Sequence, residues 1–194
     1  MIPETYAIRP GRESDLGALA DVERSASVTY FEALGGPRQT ADVLPAAVVE
    51  ASHAAGLLWV AADRRDVPVG FLAAEAINDF LFVKEVSVAR EHQRAGLGRR
   101  LIQAAEDHAR AAPYGAIALT TDRFIPFNGP FYERIGFREV RAEQAPLSLR
   151  TLLAQEIASG FEGKRRILML KPVAALQDST MPLYASRRQT GDRA

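Results

Sequence analysis

LFVKEVSVAREHQRAGLGRRL, residues 81–101, changes character halfway along. Leu81–Val88 is apolar and rich enough in β-branched and aromatic side chains to be a buried strand. A short polar link follows, and Gln93-Arg94-Ala95-Gly96-Leu97-Gly98 then opens a helix. The apolar stripe of that helix is Leu97, Leu101, Ile102, Ala105 and Ala109, and it ends near Pro113. Two glycines at this spacing let a ligand approach the backbone closely, with amides unblocked by Cβ atoms. The helix N-terminus adds free N–H groups and a partial positive charge, so an anion such as pyrophosphate is the natural occupant. Arg94, Arg99 and Arg100 bring formal charge to the same place. Simple turn chemistry before a helix is the plainer reading of the same glycines. Two other phosphate motifs fail. A dinucleotide fingerprint needs a glycine where Leu101 stands, and a Walker loop needs Gly-Lys-Ser/Thr, which Gly160–Arg165 (GFEGKR) lacks.

Upstream, Tyr6–Arg9 reads as a first strand stopped by Pro10-Gly11, followed by an amphipathic helix over Ser14–Ser25 with Ser14 or Asp15 as cap. Thr40–Ala55 reads as a second helix, perturbed by Pro45. Leu57–Ala62, Val69–Ile77 and Phe80–Val88 are apolar runs joined by short turn-like links, which predicts an antiparallel meander. Downstream, Gly115–Thr121 is a fifth strand, Phe131–Ile135 a short helix stopped by Gly136, and Phe137–Val140 a further strand. Leu147–Ala158 is helical and Arg166–Lys171 is the last strand. The order β-α-α-β-β-β-α-β-α-β-α-β predicts an α/β domain whose sheet mixes antiparallel and parallel neighbours. Periodicity ends near Val173, so residues 1–174 are expected to be one domain and 175–194 a flexible C-terminal tail.

Composition narrows the function. The 194 residues carry 24 basic and 24 acidic side chains, with 47% apolar and 25% charged residues. Zero net charge argues against a dedicated nucleic-acid or polybasic membrane binder. The longest apolar run, Ala54–Ala62, is about half of a membrane-spanning helix. With no cysteine there is no disulfide, thiolate zinc site or thiol nucleophile. His53, His92 and His108 are too scattered for a metal site, so no metal is expected. These features fit a soluble, cytoplasmic protein.

The Gln/Arg-x-x-Gly-x-Gly/Ala pattern at Gln93–Gly98, placed after a strand, resembles the acetyl-CoA signature of the GNAT family of N-acetyltransferases. Asn128–Phe137, NGPFYERIGF, is similar to the family's later Asn…Tyr-x-x-x-Gly-Phe segment, and the element order over roughly residues 5–172 matches its fold. The resemblance implies a mostly antiparallel central sheet flanked by helices, with a V-shaped splay between strands 4 and 5. It implies that the backbone of Val86, Ser87 and Val88 pairs with the pantetheine of acetyl-CoA. The amides of Arg94, Ala95, Gly96, Leu97, Gly98 and Arg99 would hold the pyrophosphate.

Acetyl transfer from a thioester to an amine makes three demands. The ammonium must lose a proton, the oxyanion needs a donor such as the N–H near Val86, and the departing thiolate must be protonated. By resemblance, Tyr132 is the candidate acid near the sulfur of CoA, with packing as the competing role. Glu85 is the candidate base, because a carboxylate inside an apolar run is unusual; pairing with Lys84 or a loop arginine is the alternative. Glu75 and Asp79 rank behind it. Phe131, Phe137 and Trp59 read as core, and His92 as a surface residue. Asn128 departs from the family pattern, whose CoA-contacting asparagine commonly stands seven residues before the tyrosine, where this chain has Ile125. Asn128 therefore reads either as a CoA contact or as a helix N-cap. The expected reaction is direct attack in a ternary complex on acetyl-CoA by a primary amine of a small molecule or peptide. That acceptor is expected over the loop Tyr30–Arg38 and the segment after Phe137, with Tyr30, Phe31 and Glu32 either lining its pocket or simply packing an ordinary loop. A non-catalytic acyl-CoA-binding or regulatory module is the alternative, and an exposed final strand and the tail at 175–194, which could pair between subunits, make a homodimer plausible.

Overall fold

The computed structural model describes residues 6–36 and 43–173, so the expected tail at 175–194 lies outside the described residues. Seven strands form one sheet: β1 (Ala7–Pro10), β2 (Leu58–Ala62), β3 (Pro68–Ile77), β4 (Phe80–Val88), β5 (Ala116–Asp122), β6 (Arg138–Val140) and β7 (Arg166–Pro172). Their spatial order is β1-β2-β3-β4-β5-β7-β6. Every pairing is antiparallel except β4 with β5, which is parallel. The expected meander is β2-β3-β4. Its second hairpin turns on Asn78-Asp79, with Asn78 at a φ of +50°, a conformation that asparagine tolerates.

Five helices cover the sheet: α1 (Leu16–Ala33), α2 (Ala46–Ala54), α3 (Leu97–Ala111), α4 (Gly129–Arg134) and α5 (Leu147–Ala158). On one face, the predicted stripe of α3 packs Leu97, Leu101, Ile102, Ala105 and Ala109 against Leu72, Leu81, Val83, Ile117 and Leu119. Each large side chain buried there is worth about 2 kcal/mol. On the other face α1 and α2 cover Val60, Phe71 and Ala73, while α5 covers Phe82, Ala118 and Leu168.

Three expectations change. α2 starts at Ala46, because Pro45 is extended (ψ 136°) and stands just ahead of the first turn, where proline is tolerated. α1 runs eight residues past Ser25, and its added turns carry side chains toward the opening described below. The last strand is no edge: β7 lies between β5 and β6, so the expected exposed final strand is absent and the argument for a homodimer built on it falls away.

Candidate active site

β4 and β5 pair only from Phe80↔Ala116 to Val83↔Leu119. Beyond Val83, β4 continues to Val88 against β3, while β5 continues to Asp122 against β7. The two strands therefore part company, and the expected splay opens between them. A bulge sits at the parting point. Ala73 pairs with Glu85 but Ala74 with Val83, which leaves Lys84 as an extra residue on β4. The extra residue reverses the alternation. Leu81 and Val83 face the α3 layer, and after the bulge Val86 and Val88 pack there instead. Glu85 and Ser87 stand opposite Ala73 and Phe71, on the side that α1 covers. Without the bulge, Glu85 would share the apolar layer of Val83.

A cleft of about 1260 Å³ follows the splay from the start of α3 to the start of β7. At its first end Gly96 is the N-cap of α3 with a φ of +78°, and Arg94 holds +61°. For arginine that conformation costs on the order of 1 kcal/mol. α3 starts with no capping side chain and no acid in its first turn, so its leading amides and partial charge are directed at whatever anion lies in front. Gly96, Leu97, Gly98 and Arg99 all line the cleft. Gln93 braces this loop, donating from Nε2 to the Val88 carbonyl (3.0 Å) and accepting from the Thr29 hydroxyl (3.0 Å). Arg100 instead turns to the Tyr6 carbonyl (3.1 Å). His92 is half-buried, bonded to the Tyr6 hydroxyl (3.0 Å), and lines the cleft rather than the open surface.

α4 carries Tyr132 and is pinned at both ends. A Cβ at Gly129 would lie 2.7 Å from the Arg123 carbonyl oxygen, so the helix start abuts the end of β5 more closely than any other residue allows. Asp122 shapes that junction: it accepts the amides of Phe124 (2.8 Å) and Ile125 (3.0 Å) and the Nε of Arg165 (2.7 Å). At the other end Lys171, ion-paired with buried Glu106, donates to the Ile135 carbonyl (2.7 Å). Tyr132 packs edge-on against Phe131 and Phe137. Burial first, and the Glu85 charge second, push its phenol well above the usual range and keep it neutral. Phe137 is core, as expected, but Phe131 is half-buried and lines the cleft. Asn128 occupies the N-cap position of α4, yet its side chain makes no capping bond and it lines the cleft instead. Ile125 is buried.

The other end of the cleft is acidic. Glu85 accepts a hydrogen bond from the Ser87 hydroxyl (2.7 Å), and Lys84 bonds Glu75 (3.1 Å), which removes the expected alternative of a Lys84–Glu85 pair. Burial raises the Glu85 carboxyl against the pull of Ser87 and Arg166. Glu85 is half-buried, whereas Glu23 of α1 is buried and takes the Leu44 amide on both oxygens (3.0 Å each). Burial, then the facing charge of Glu85, push its carboxyl up to about 7. Arg166 closes this end, bonded to Glu156 (2.8 Å) and Thr120 (3.0 Å) with its guanidinium 4.3 Å from the Phe161 ring centroid. Tyr30 and Glu32 line the cleft as expected, whereas Phe31 is not among its lining residues. Arg38 and Pro37 lie outside the described residues.

The architecture agrees with comparisons against known proteins. The model of the family described as "Acetyltransferase (GNAT) family" matches residues 20–137. The chain belongs to the GNAT family of acetyltransferases. Its similarity to a probable N-acetyltransferase camello of Xenopus tropicalis is 32% identity over 78 residues, 40% of this chain and 36% of that protein. The chain thus matches about a third of that relative's length. A GNAT-family acetyltransferase structure from Staphylococcus aureus superposes with a TM-score of 0.67 at 18% identity, covering 87% of this chain and 99% of the other. N-acetylglutamate synthase of Neisseria gonorrhoeae, solved with coenzyme A and N-acetyl-glutamate, gives 0.62 at 15% identity over 87% of this chain and 35% of its own.

As a GNAT chain it brings Glu85, Val86, Ser87, Val88, Arg94, Gly96, Leu97, Gly98, Arg99, Asn128 and Tyr132 to one cleft; Ala95 stands in the same loop but is not among the lining residues. Asp79 and Glu75 do not line it. Sequence reasoning missed Glu23, Gln93, Thr120, Phe161 and Arg166. Glu23 had a signal: it falls four residues after Leu19 and one after Val22, on the buried face of α1. An acid on an apolar stripe is the same anomaly that marked Glu85. Gln93 is the first letter of the glycine motif itself. Among the described residues, no group of three or more His, Asp or Glu could hold a metal ion, and no helix is long and apolar enough to cross a membrane.

Proposed function

We propose that this chain transfers the acetyl group of acetyl-CoA to a primary amine by direct attack in a ternary complex. One observation carries the reading: an open β4 edge, an uncapped α3 start, and a half-buried phenol and half-buried carboxylate that feel each other's charge share one cleft. The residues fit the cosubstrate. The β4 edge past Val83 has no β5 partner, and the first turn of α3 has neither cap nor acid. Acetyl-CoA, when bound, supplies the acetyl group activated as a thioester. The backbone of Val86, Ser87 and Val88 would align its pantetheine arm, the amides of residues 94–99 would hold its phosphates, and Asn128 would contact it from the α4 side.

An amine reaches the site as an ammonium, with no lone pair to attack. Glu85 accepts that proton; its burial-raised basicity suits the task better than a solvated carboxylate would. The nitrogen bonds to the carbonyl carbon while the Val86 amide donates to the carbonyl oxygen. The C–S bond breaks and Tyr132, kept neutral by burial, gives its proton to the sulfur. The acylated nitrogen still carries a second proton, which passes to the phenolate directly or through solvent, and the proton on Glu85 returns to solvent. There is no cysteine in the chain to carry an acyl group.

Thiol release from acetyl-CoA over a panel of primary amines tests the reading, since the chain contributes no thiol background. Amine-dependent release is expected. Binding of acetyl-CoA with no release on any amine would leave a non-catalytic binding module in its place.

A further inference from the structure

The charged groups at the far end of the cleft are matched unevenly. Arg165 is held by Asp122 (2.7 Å), Arg166 by Glu156 (2.8 Å) and Lys84 by Glu75 (3.1 Å). Those three cations are spoken for. Glu23 and Glu85 both line the cleft, and among the described residues neither carboxylate forms an ion pair. Glu23 is buried and Glu85 half-buried, and carboxylates drawn out of water without a cation are costly, a cost that a cationic ligand relieves. Among the described residues at this end, an acidic acceptor would meet two carboxylates and only cations already bonded to other carboxylates.

Beside them stands an aromatic wall. Phe161, in the turn before β7, is 44% exposed, and the Arg166 guanidinium covers one face of its ring at 4.3 Å. Half-buried Tyr30 of α1 lines the same end. With one face under Arg166, the Phe161 ring leaves its other face open to a ligand in the cleft.

Resting on the acetyl-transfer reading, we infer that the acceptor is a small monocationic amine carried on an aromatic body, its ammonium against Glu23 and Glu85 and its ring against Phe161 and Tyr30. Glu23 is then a positioning residue for the amine that Glu85 deprotonates. The covalent step is unchanged: the C–N bond forms as C–S breaks, and the proton leaves through Glu85.

Calorimetry on the full chain saturated with CoA tests this, with 2-phenylethylamine, ethylamine, phenylalanine and a peptide with N-terminal phenylalanine as probes. The expected order has 2-phenylethylamine at least about tenfold tighter than ethylamine, from burial of the ring. Phenylalanine, the same amine with a carboxylate added, binds at least about tenfold more weakly than 2-phenylethylamine because of repulsion. The peptide binds no better than the free amine, because recognition ends with ring and ammonium. Phe161→Ala reduces the preference over ethylamine to about threefold. Glu23→Gln weakens both amines about fivefold alike and leaves acetyl-CoA affinity unchanged. Equal affinity for the two amines, preference for phenylalanine, or tighter binding of the peptide would each overturn the inference. Thiol release is read in parallel: tight 2-phenylethylamine binding with no release on any amine would sink acetyl transfer, and with it the acceptor role, and leave a ring-and-ammonium binding site.

Discussion

The two ends of the cleft are built in opposite ways. The α3 end is one local stretch, Gln93–Arg99, whose backbone does the work: two positive-φ residues, an uncapped first turn and exposed arginines of one sign. The β7 end is made of side chains brought together from α1, β4, β5, α5 and β7, with Glu23 and Arg166 separated by most of the chain. One end suits an anion and the other a cation. A site made of backbone tolerates most side-chain changes and fails when its space is filled, whereas a site made of side chains fails residue by residue.

Filling the first end should give the largest effect. Gly98→Trp places an indole at the mouth of the phosphate loop, where even a Cβ already reaches Phe131 at 4.0 Å. Acetyl-CoA affinity should drop more than about a hundredfold by calorimetry, with a folded circular-dichroism spectrum. Retained affinity would place the phosphates elsewhere.

At the chemical centre, Tyr132→Phe should lower kcat roughly a hundredfold and leave acetyl-CoA affinity within about twofold. Equal losses in both would make Tyr132 a packing residue, consistent with its contacts to Phe131 and Phe137.

The carboxylates predict pH behaviour. Glu85 must be ionised to accept a proton, so kcat/KM should rise with pH through its raised pKa and then level. Glu85→Gln should lose that limb and about two orders of magnitude in rate; a variant that keeps the same limb would assign it to another group. Stability runs the other way. A carboxyl with a raised folded pKa holds its proton more tightly folded than unfolded. The contribution of Glu23 is therefore fully present below its ordinary 4.5 and is lost as pH climbs to about 7. Thermal midpoints of the parent should fall across that window more steeply than those of Glu23→Gln. Parallel curves would mean that Glu23 is ionised throughout.

These expectations also show what the sequence could carry. The geometry of the α3 end was legible because strand, glycines and helix start are contiguous in Leu81–Leu101. The direction of Glu85 away from Val86 followed from alternation, but its escape from the layer of Val83 depends on the Lys84 bulge, and no residue type in LFVKEVSV announces an extra residue. The β7 end was largely hidden, since chain order does not give sheet order. The strand last in the chain lies between β5 and β6, and that is what carries Arg166 beside Thr120. Asn128 was read as cap or contact from position alone, and only the geometry shows the cap bond missing.

The smallest effect belongs to single surface charges. Arg99→Ala should weaken acetyl-CoA binding only a few-fold, and less at 1 M salt, because screening shortens its reach. A tenfold or salt-independent loss would make that side chain, rather than the α3 amides, the main phosphate ligand.

The central claim is that one continuous cleft holds acetyl-CoA along β4 with its phosphates at α3. Calorimetric titration of the full chain with acetyl-CoA, and separately with adenosine diphosphate, tests it most directly. The account predicts that the whole cosubstrate binds at least about tenfold more tightly than the nucleotide, because the pantetheine arm adds the β4 edge. Equal affinities, or no binding of either, would contradict it.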